Sequence, residues 1–498
     1  MEQTQSLTAM TGEWIRQLFT YDPASPLMIG SMPFAVLFIV FLSIYVVLRS
    51  KSRTLMMAYV IAFSLFFAYK TNGLLALLLP ATAIVNYRLT ELMRAAGSRK
   101  KQKCWLTAVI AIDLLLLGYF KYWLFVVHDI VNVLFATNFA PAAVALPVGI
   151  SFYTFQAISY AVDVYRGRFT MHPSRLEYYF YLTFFPLLMA GPITRAQNLM
   201  PRLRRNHQAS SRMVWTGLML IMLGLIKKNL LSDYIAQFNN WVFDEPTAFS
   251  GFENLMAMMG YPIQLYLDFS GYSDMSIGVV AMMGFWLPDN FWFPYRSLNL
   301  TDFWRRWHIS LSTWFRDYVY IPLGGNRRGT LRMYVNNFLT MLVAGLWHGA
   351  SWMFIIWGAL HGLGLCVHKF FSRQLKMSIP RTWWGNSLSW LITYVFVSLA
   401  FTLFRAADLT ALGTMWQQVL TDFDWAYLAP FWSVRMTWCI MVLVVLLSYL
   451  LPERAYQRMQ LRFIRLPWAV KLLLFLVCVQ LVIEFSQQNV QPFLYYQF

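Results

Sequence analysis

Leu27–Leu48 reads LMIGSMPFAVLFIVFLSIYVVL, 22 residues without a charge, and the chain turns basic directly after it, at Arg49, Lys51 and Arg53. At about 1.5 Å of rise per residue such a helix covers roughly 33 Å, enough for the ~30 Å hydrocarbon core of a bilayer. The preceding residues carry Glu2, Glu13, Arg16 and Asp22 and no apolar stretch. They do not read as a cleavable signal peptide, so this first span is expected to act as its own insertion signal.

Working outward, comparable apolar runs recur at 54–69, 74–87, 105–127, 146–164, 176–190, 214–226, 252–267, 272–287, 335–347, 352–367, 390–404, 438–451 and 469–483. Composition agrees: 58% of the 498 residues are apolar, 18% aromatic and only 12% charged, against about 25% charged in soluble domains. So few charges cannot cover a surface in water, which excludes an extracellular domain, a coiled coil and a disordered linker protein. The fold class expected is all-α and polytopic, with about eleven to thirteen transmembrane helices. Several runs are too short for a plain span, and those near Pro147, Pro186 and Pro262 are expected to be tilted, broken or re-entrant, packed in protein or lining a cavity.

The net charge of +18 would suggest nucleic acid in a soluble protein; here it reads as topology, with basic loops held on the inner side and no nucleic-acid partner. Basic residues cluster at 49–53, 88–103, 166–168, 202–212, 296–332, 369–381 and 454–465. Placing these in the cytoplasm leaves the N-terminus outside and implies a plasma (inner) membrane, multi-pass protein in a lipid bilayer. The domain reading is an extracytoplasmic segment at 1–26, one membrane-embedded domain at 27–485 and a polar tail at 486–498. Cys104, Cys366, Cys439 and Cys478 are scattered, without CxxC or Cys/His clustering, so neither a disulfide framework nor a metal site is expected.

The densest chemistry is Asp302–Gly325, DFWRRWHISLSTWFRDYVYIPLGG. A helix starting near Thr301, capped by Thr301 or Asp302, would put His308 and Ser312 on one face with Trp304 a turn earlier. An interfacial helix explains the arginines and tryptophans. It does not explain His308, Ser312 and Asp317 among Arg305, Arg306, Arg316, Trp304 and Trp307, which make this block a candidate site. His348, after Trp347 in MLVAGLWHGASW, follows a dozen mostly apolar residues; Gly345 and Gly349 allow close backbone contact there. An ionisable group inside the membrane is a functional candidate by default, and a neutral imidazole suits proton abstraction from a hydroxyl near pH 7. His361, in WGALHGLGL, reads either as a packing residue or as support for His348. Asp268, Ser270, Ser273 and Asp274 in LDFSGYSDM read as side chains satisfying a broken helix, not as a proton-sharing pair.

With these residues in view, the chain resembles the membrane-bound O-acyltransferases, in the bacterial branch holding the alginate O-acetylation protein and the D-alanyl transferase for teichoic acids. The resemblance rests on PVGISFYTFQAISYAVDVYRG (Pro147–Gly167), AGPITR (Ala190–Arg195), DFSGYSD (Asp268–Asp274), RRWHISLSTWFRDYVYIPLGG (Arg305–Gly325), LWHG (Leu346–Gly349) and WGALHG (Trp357–Gly362), a motif core at 147–362. It implies helices around a central tunnel or funnel, His348 as catalytic base and His308 as its second histidine. It matches His361 to a further histidine of the alginate-type branch; Ser312, Trp347 and Asp317 are expected in support with it, and Arg305, Arg306, Arg316, Trp304 and Trp307 along the donor tunnel.

The implied reaction moves an acyl group, acetyl by preference, from a cytoplasmic thioester to a hydroxyl of an extracytoplasmic polysaccharide or a periplasmic partner. No cofactor is permanently bound; acetyl-CoA or an acyl-phosphopantetheine carrier protein is the donor. The outer partner is an SGNH-type acetyltransferase or a polysaccharide-export protein. D-alanyl transfer to a cell-wall polymer is the alternative within the family, and a transporter or flippase for lipid-linked sugars is the alternative outside it.

Overall fold

In the computed structural model the described residues are 16, 18–23, 25–142, 144–205, 208–377 and 379–485; the expected N-terminal segment lies largely, and the tail at 486–498 wholly, outside them. Every regular element among the described residues is a helix. Seven helical stretches are long and apolar enough to cross a membrane: Met32–Lys51, Arg53–Ala95, Arg99–Phe135, Ser211–Asp244, Trp352–Gln374, Trp383–Arg405 and Trp468–Phe485. An eighth is a pair, Trp425–Val434 and Met436–Ser448, bent by 97°. The stretch Arg53–Ala95 holds two helices, Arg53–Asn72 and Leu78–Ala95, joined by a tight turn at Gly73–Leu77, where the sequence suggested two spans. The protein is a multi-pass membrane protein. Its burial pattern is that of a lipid-facing molecule, with Ile39, Leu115 and Leu473 at 67%, 72% and 61% exposed while Asn86, Asp113 and Asp268 are buried.

Helix ends follow short polar residues. Ser31 accepts from the Phe34 amide at the start of Met32–Lys51, and Ser52 alone separates that helix from the next, accepting from Leu55. The described residues pack as two units: one runs to Val214 and takes in Val279–Leu287, the other comprises Trp215–Gly278 and the described residues from Pro288 on. In the first, Glu177 closes a capping box with Ser174 and accepts from Arg53 and Arg204.

The second unit holds the candidate site, and its framework starts with Gly251–Met282, labelled α1. The sequence suggested two spans broken near Asp268; the structure has one continuous helix that passes Pro262. Two tyrosine hydroxyls attend the carbonyls around that proline, Tyr295 donating to Pro262 O at 2.5 Å and Tyr394 to Met259 O at 3.3 Å. The two acids are also not needed by the backbone, because lysines of the preceding helical segment take them: Lys228 meets Asp268 at 2.7 Å and Asp233 at 2.6 Å, and Lys227 meets Asp274 at 2.6 Å. The breaks expected near the other two prolines are present. One helix stops at Thr183, just before Phe185–Leu188, and another starts only at Ile150, after Pro147.

Candidate active site

The aromatic–basic block forms two short helices, α2 (Leu300–Arg306) and α3 (Ile309–Phe315), in place of the one helix the sequence suggested. Asn299, not Thr301 or Asp302, caps α2, accepting from the Asp302 amide at 2.9 Å. Between the helices His308 takes a left-handed backbone, φ 43° and ψ 54°. For a residue with a Cβ this costs on the order of 1–3 kcal/mol, sustained only where the surroundings impose it. Ser312 stays one turn from His308, its amide donating to the His308 carbonyl at 2.9 Å, while its hydroxyl donates to the Trp307 carbonyl at 3.1 Å.

Three residues of the loop before α2 hold this turn. On one side the Trp292 amide donates to Arg306 O at 2.9 Å; on the other the Ile309 amide donates to Asn290 O at 2.8 Å. Phe291, between them, lays its ring 6.3 Å from the imidazole, and Phe269 of α1 comes within 4.6 Å. His308 is 1% exposed and lies outside the seven spans. Its burial among rings pushes its pKa below the ordinary value, which keeps the imidazole neutral.

His348 is the last residue of α4 (Thr330–His348), and Gly349 turns the chain toward α5 (Trp352–Lys369). The hydroxyl of Ser351 accepts from the Met353 amide at 3.2 Å, so it serves as the cap of α5. The imidazole of His348 is buried and walled by Trp347 at 5.0 Å, Trp357 at 5.1 Å and Phe404 at 4.9 Å between ring centroids. Trp347 also reaches His308, at 6.3 Å. Trp357 also reaches His361, at 4.7 Å, and His361 meets Trp304 of α2 at 5.1 Å. The three histidines picked out in the sequence are therefore brought into one aromatic network, each linked to the next through a tryptophan. His361 is fully buried, and neither of its ring nitrogens meets a hydrogen-bond partner among the described residues.

The basic residues divide. Arg305 is exposed and makes no ion pair among the described residues. Arg306 is held by Asp302 at 3.0 Å and Glu453 at 3.2 Å, and the other oxygen of Glu453 accepts from the Trp292 indole at 3.0 Å. Arg316 pairs with its neighbour Asp317 at 2.8 Å. Trp307 is a packing residue, buried with Phe303, Phe291 and Phe401 around it at 5.0 to 5.5 Å.

Sequence reasoning passed over Asn290, Phe291, Lys227, Lys228, Phe401 and Phe404. The last two sit one turn apart on the helix Trp383–Arg405, a spacing that could have marked a face turned inward. Asn290 carried no such signal, since it lies in an irregular stretch and acts on residues about twenty positions later. Among the described residues no three His, Cys, Asp or Glu side chains converge as a metal site. The chemistry this arrangement can do is proton transfer by a buried, aromatic-walled imidazole.

Comparison with known proteins gives the family. The family model of the MBOAT, membrane-bound O-acyltransferase family, matches residues 168–406. A protein of Pseudomonas putida named probable alginate O-acetylase AlgI is 35% identical over 494 residues, covering 94% of this chain and 99% of its own length. The peptidoglycan O-acetyltransferase of Helicobacter pylori is 37% identical over 375 residues, 70% of each chain. The teichoic acid D-alanyltransferase of Bacillus subtilis is 30% identical over 268 residues, 52% of this chain and 68% of its own.

Proposed function

This chain belongs to the membrane-bound O-acyltransferase family, and on that premise we propose that it moves an acetyl group from a cytoplasmic thioester to a hydroxyl on the far side of the membrane. It is an O-acyltransferase; the donor, the acceptor and the residue roles are our reading. The observation that carries the reading is His348, an imidazole buried at a helix end between two tryptophans and linked through them to His308 and His361.

In the proposed step a His348 ring nitrogen accepts the proton of the acceptor hydroxyl as its oxygen attacks the thioester carbonyl carbon. The carbon–sulfur bond breaks, the thiolate leaves, and the imidazolium returns the proton to it. His308, neutral and dry, keeps a second imidazole beside the reacting groups without adding a positive charge that would raise the cost of protonating His348. His361 and Trp347 support His348 from either side. Ser312 steadies the His308 turn from one turn on, its amide bonded to the His308 carbonyl and its hydroxyl to that of Trp307.

At the donor mouth, Trp304 forms the apolar wall with Trp307 packed behind it, and Arg305 is placed for the phosphates of acetyl-CoA or of an acyl-phosphopantetheine carrier. Arg306 and Arg316, already paired with Asp302, Glu453 and Asp317, position the segment. With the basic loops inside, the N-terminus faces outward from a bacterial inner membrane. The acceptor is an exopolysaccharide, or the serine of an SGNH-type periplasmic acetyltransferase that passes the group on. Acetyl is favoured over D-alanyl because the relatives named for O-acetylation are matched over more of their length and at higher identity.

The test is transfer of label from acetyl-CoA by protein reconstituted in liposomes, with acceptor polymer outside. His348→Ala is expected to abolish transfer with membrane insertion and protein level unchanged; retained transfer overturns the assignment.

A further inference from the structure

The block around His308 contains no glycine or proline between Asp302 and Ile321, so no helix-breaking residue of its own explains the interruption at Trp307 and His308. The observed break is therefore imposed from outside. His308 occupies the N-cap position of α3 and makes no side-chain cap hydrogen bond. In an ordinary helix that position belongs to Ser, Thr, Asp or Asn, whose side chain satisfies one of the first free amides.

Here Asn290 does that work from another segment. Its carbonyl takes the Ile309 amide at 2.8 Å. Its side-chain oxygen takes both the Ser310 amide at 3.2 Å and the Ser310 hydroxyl at 2.8 Å. Its amide nitrogen donates to Ser273 Oγ of α1 at 3.1 Å, which orients the side chain so that oxygen and nitrogen cannot exchange roles without losing bonds. Asn290 is 1% exposed, so none of these bonds competes with bulk water.

We propose that Asn290 is the positioning residue of His308: by capping α3 in trans it releases the imidazole from capping, fixes the left-handed turn and keeps the ring at the face of Trp347. The inference rests on the reading that His308 takes part in acyl transfer. It extends that reading to a residue that touches neither substrate nor reacting atoms.

A double-mutant cycle separates positioning from bulk stability, because two residues acting on one step are not additive. Rates of acetyl transfer from labelled acetyl-CoA are compared for wild type, Asn290→Ala, His308→Ala and the double variant, all in liposomes. Asn290→Ala is expected to lower kcat by about a hundredfold, the size of effect that a misplaced group produces, with KM for acetyl-CoA changed less than about twofold. In the His308→Ala background the same substitution is expected to change nothing further. Ser273→Ala, which removes only the hydroxyl that orients the amide, should lower kcat in the same direction by less, and keeps the test available if Asn290→Ala does not insert. A wild-type kcat in both Asn290→Ala and Ser273→Ala, or additive losses in the double variant, overturns the proposal while leaving His308 in place. A wild-type rate for His308→Ala overturns the underlying reading instead, and with it any positioning role.

Discussion

Gly345 and Gly358 meet backbone to backbone. A Cβ on Gly345 would stand 2.2 Å from the Phe354 carbonyl oxygen and 3.1 Å from the Gly358 Cα, and one on Gly358 would stand 2.5 Å from the Met341 carbonyl oxygen. The crossing of α4 and α5, and so the placing of His348 against Trp357, depends on two absent side chains. Gly345→Ala is expected to lower the melting temperature in detergent and the transfer rate together. Helix propensity alone, worth about 0.5–1 kcal/mol in favour of Ala, would raise the melting temperature, and that result would refute the close-contact argument.

The left-handed turn at His308 makes a second prediction. Glycine adopts φ near +43° without the Cβ clash, so His308→Gly should be the more stable of two variants lacking the imidazole, exceeding His308→Ala by about 1 kcal/mol. Thermal melts of the purified pair decide it; equal melts would mean that the turn relaxes once the imidazole is gone.

A third concerns pH. Burial holds the His308 pKa below its ordinary value of about 6.5. Below that pH the unfolded chain binds a proton that the folded chain refuses, so this contribution to stability is complete above about 6.5 and declines as pH falls through it. His308→Asn removes this slope. The gap in melting temperature between wild type and His308→Asn should therefore shift toward the variant between pH 8 and pH 5, and a gap independent of pH would count against a neutral His308.

The buried charges of α1 give a fourth. Lys228 bridges Asp233 and Asp268. Lys228→Met leaves two carboxylates facing each other in a dry site, a loss on the order of 3–5 kcal/mol. Asp268→Asn leaves Lys228 with Asp233, so its loss should be clearly smaller. Yield and melting temperature after detergent extraction measure both, and Asp268→Asn proving the more damaging would reverse the argument.

Much of the fold was legible because spans announce themselves by length and lack of charge, and the clustering of His308, His348 and His361 near tryptophans was visible as a motif. The aromatic network joining them was not, because ring contacts between α2, α5 and the helix Trp383–Arg405 join positions far apart in the chain. The break at His308 escaped for the same reason: Trp-His carries no local stop signal, and the group that caps α3 stands eighteen residues upstream at Asn290. Asp268 and Asp274 were read as partners of a broken helix because their actual partners, Lys227 and Lys228, lie some forty residues upstream and were passed over. The continuity of α1 through Pro262 likewise left no mark in the sequence, and the hydroxyls that meet carbonyls beside it, those of Tyr295 and Tyr394, come from later segments.

Glu453 opens the helix Glu453–Arg465, whose arginines 454, 458, 462 and 465 are exposed, and its two oxygens grip Arg306 and the Trp292 indole on either strand of the His308 turn. The turn and the first residues of that arginine-bearing helix are thus one cooperative unit. Neither can open without giving up the same carboxylate. Amide hydrogens of Trp292 and Ile309 should consequently exchange with solvent at a common rate, and Glu453→Gln should raise both rates together.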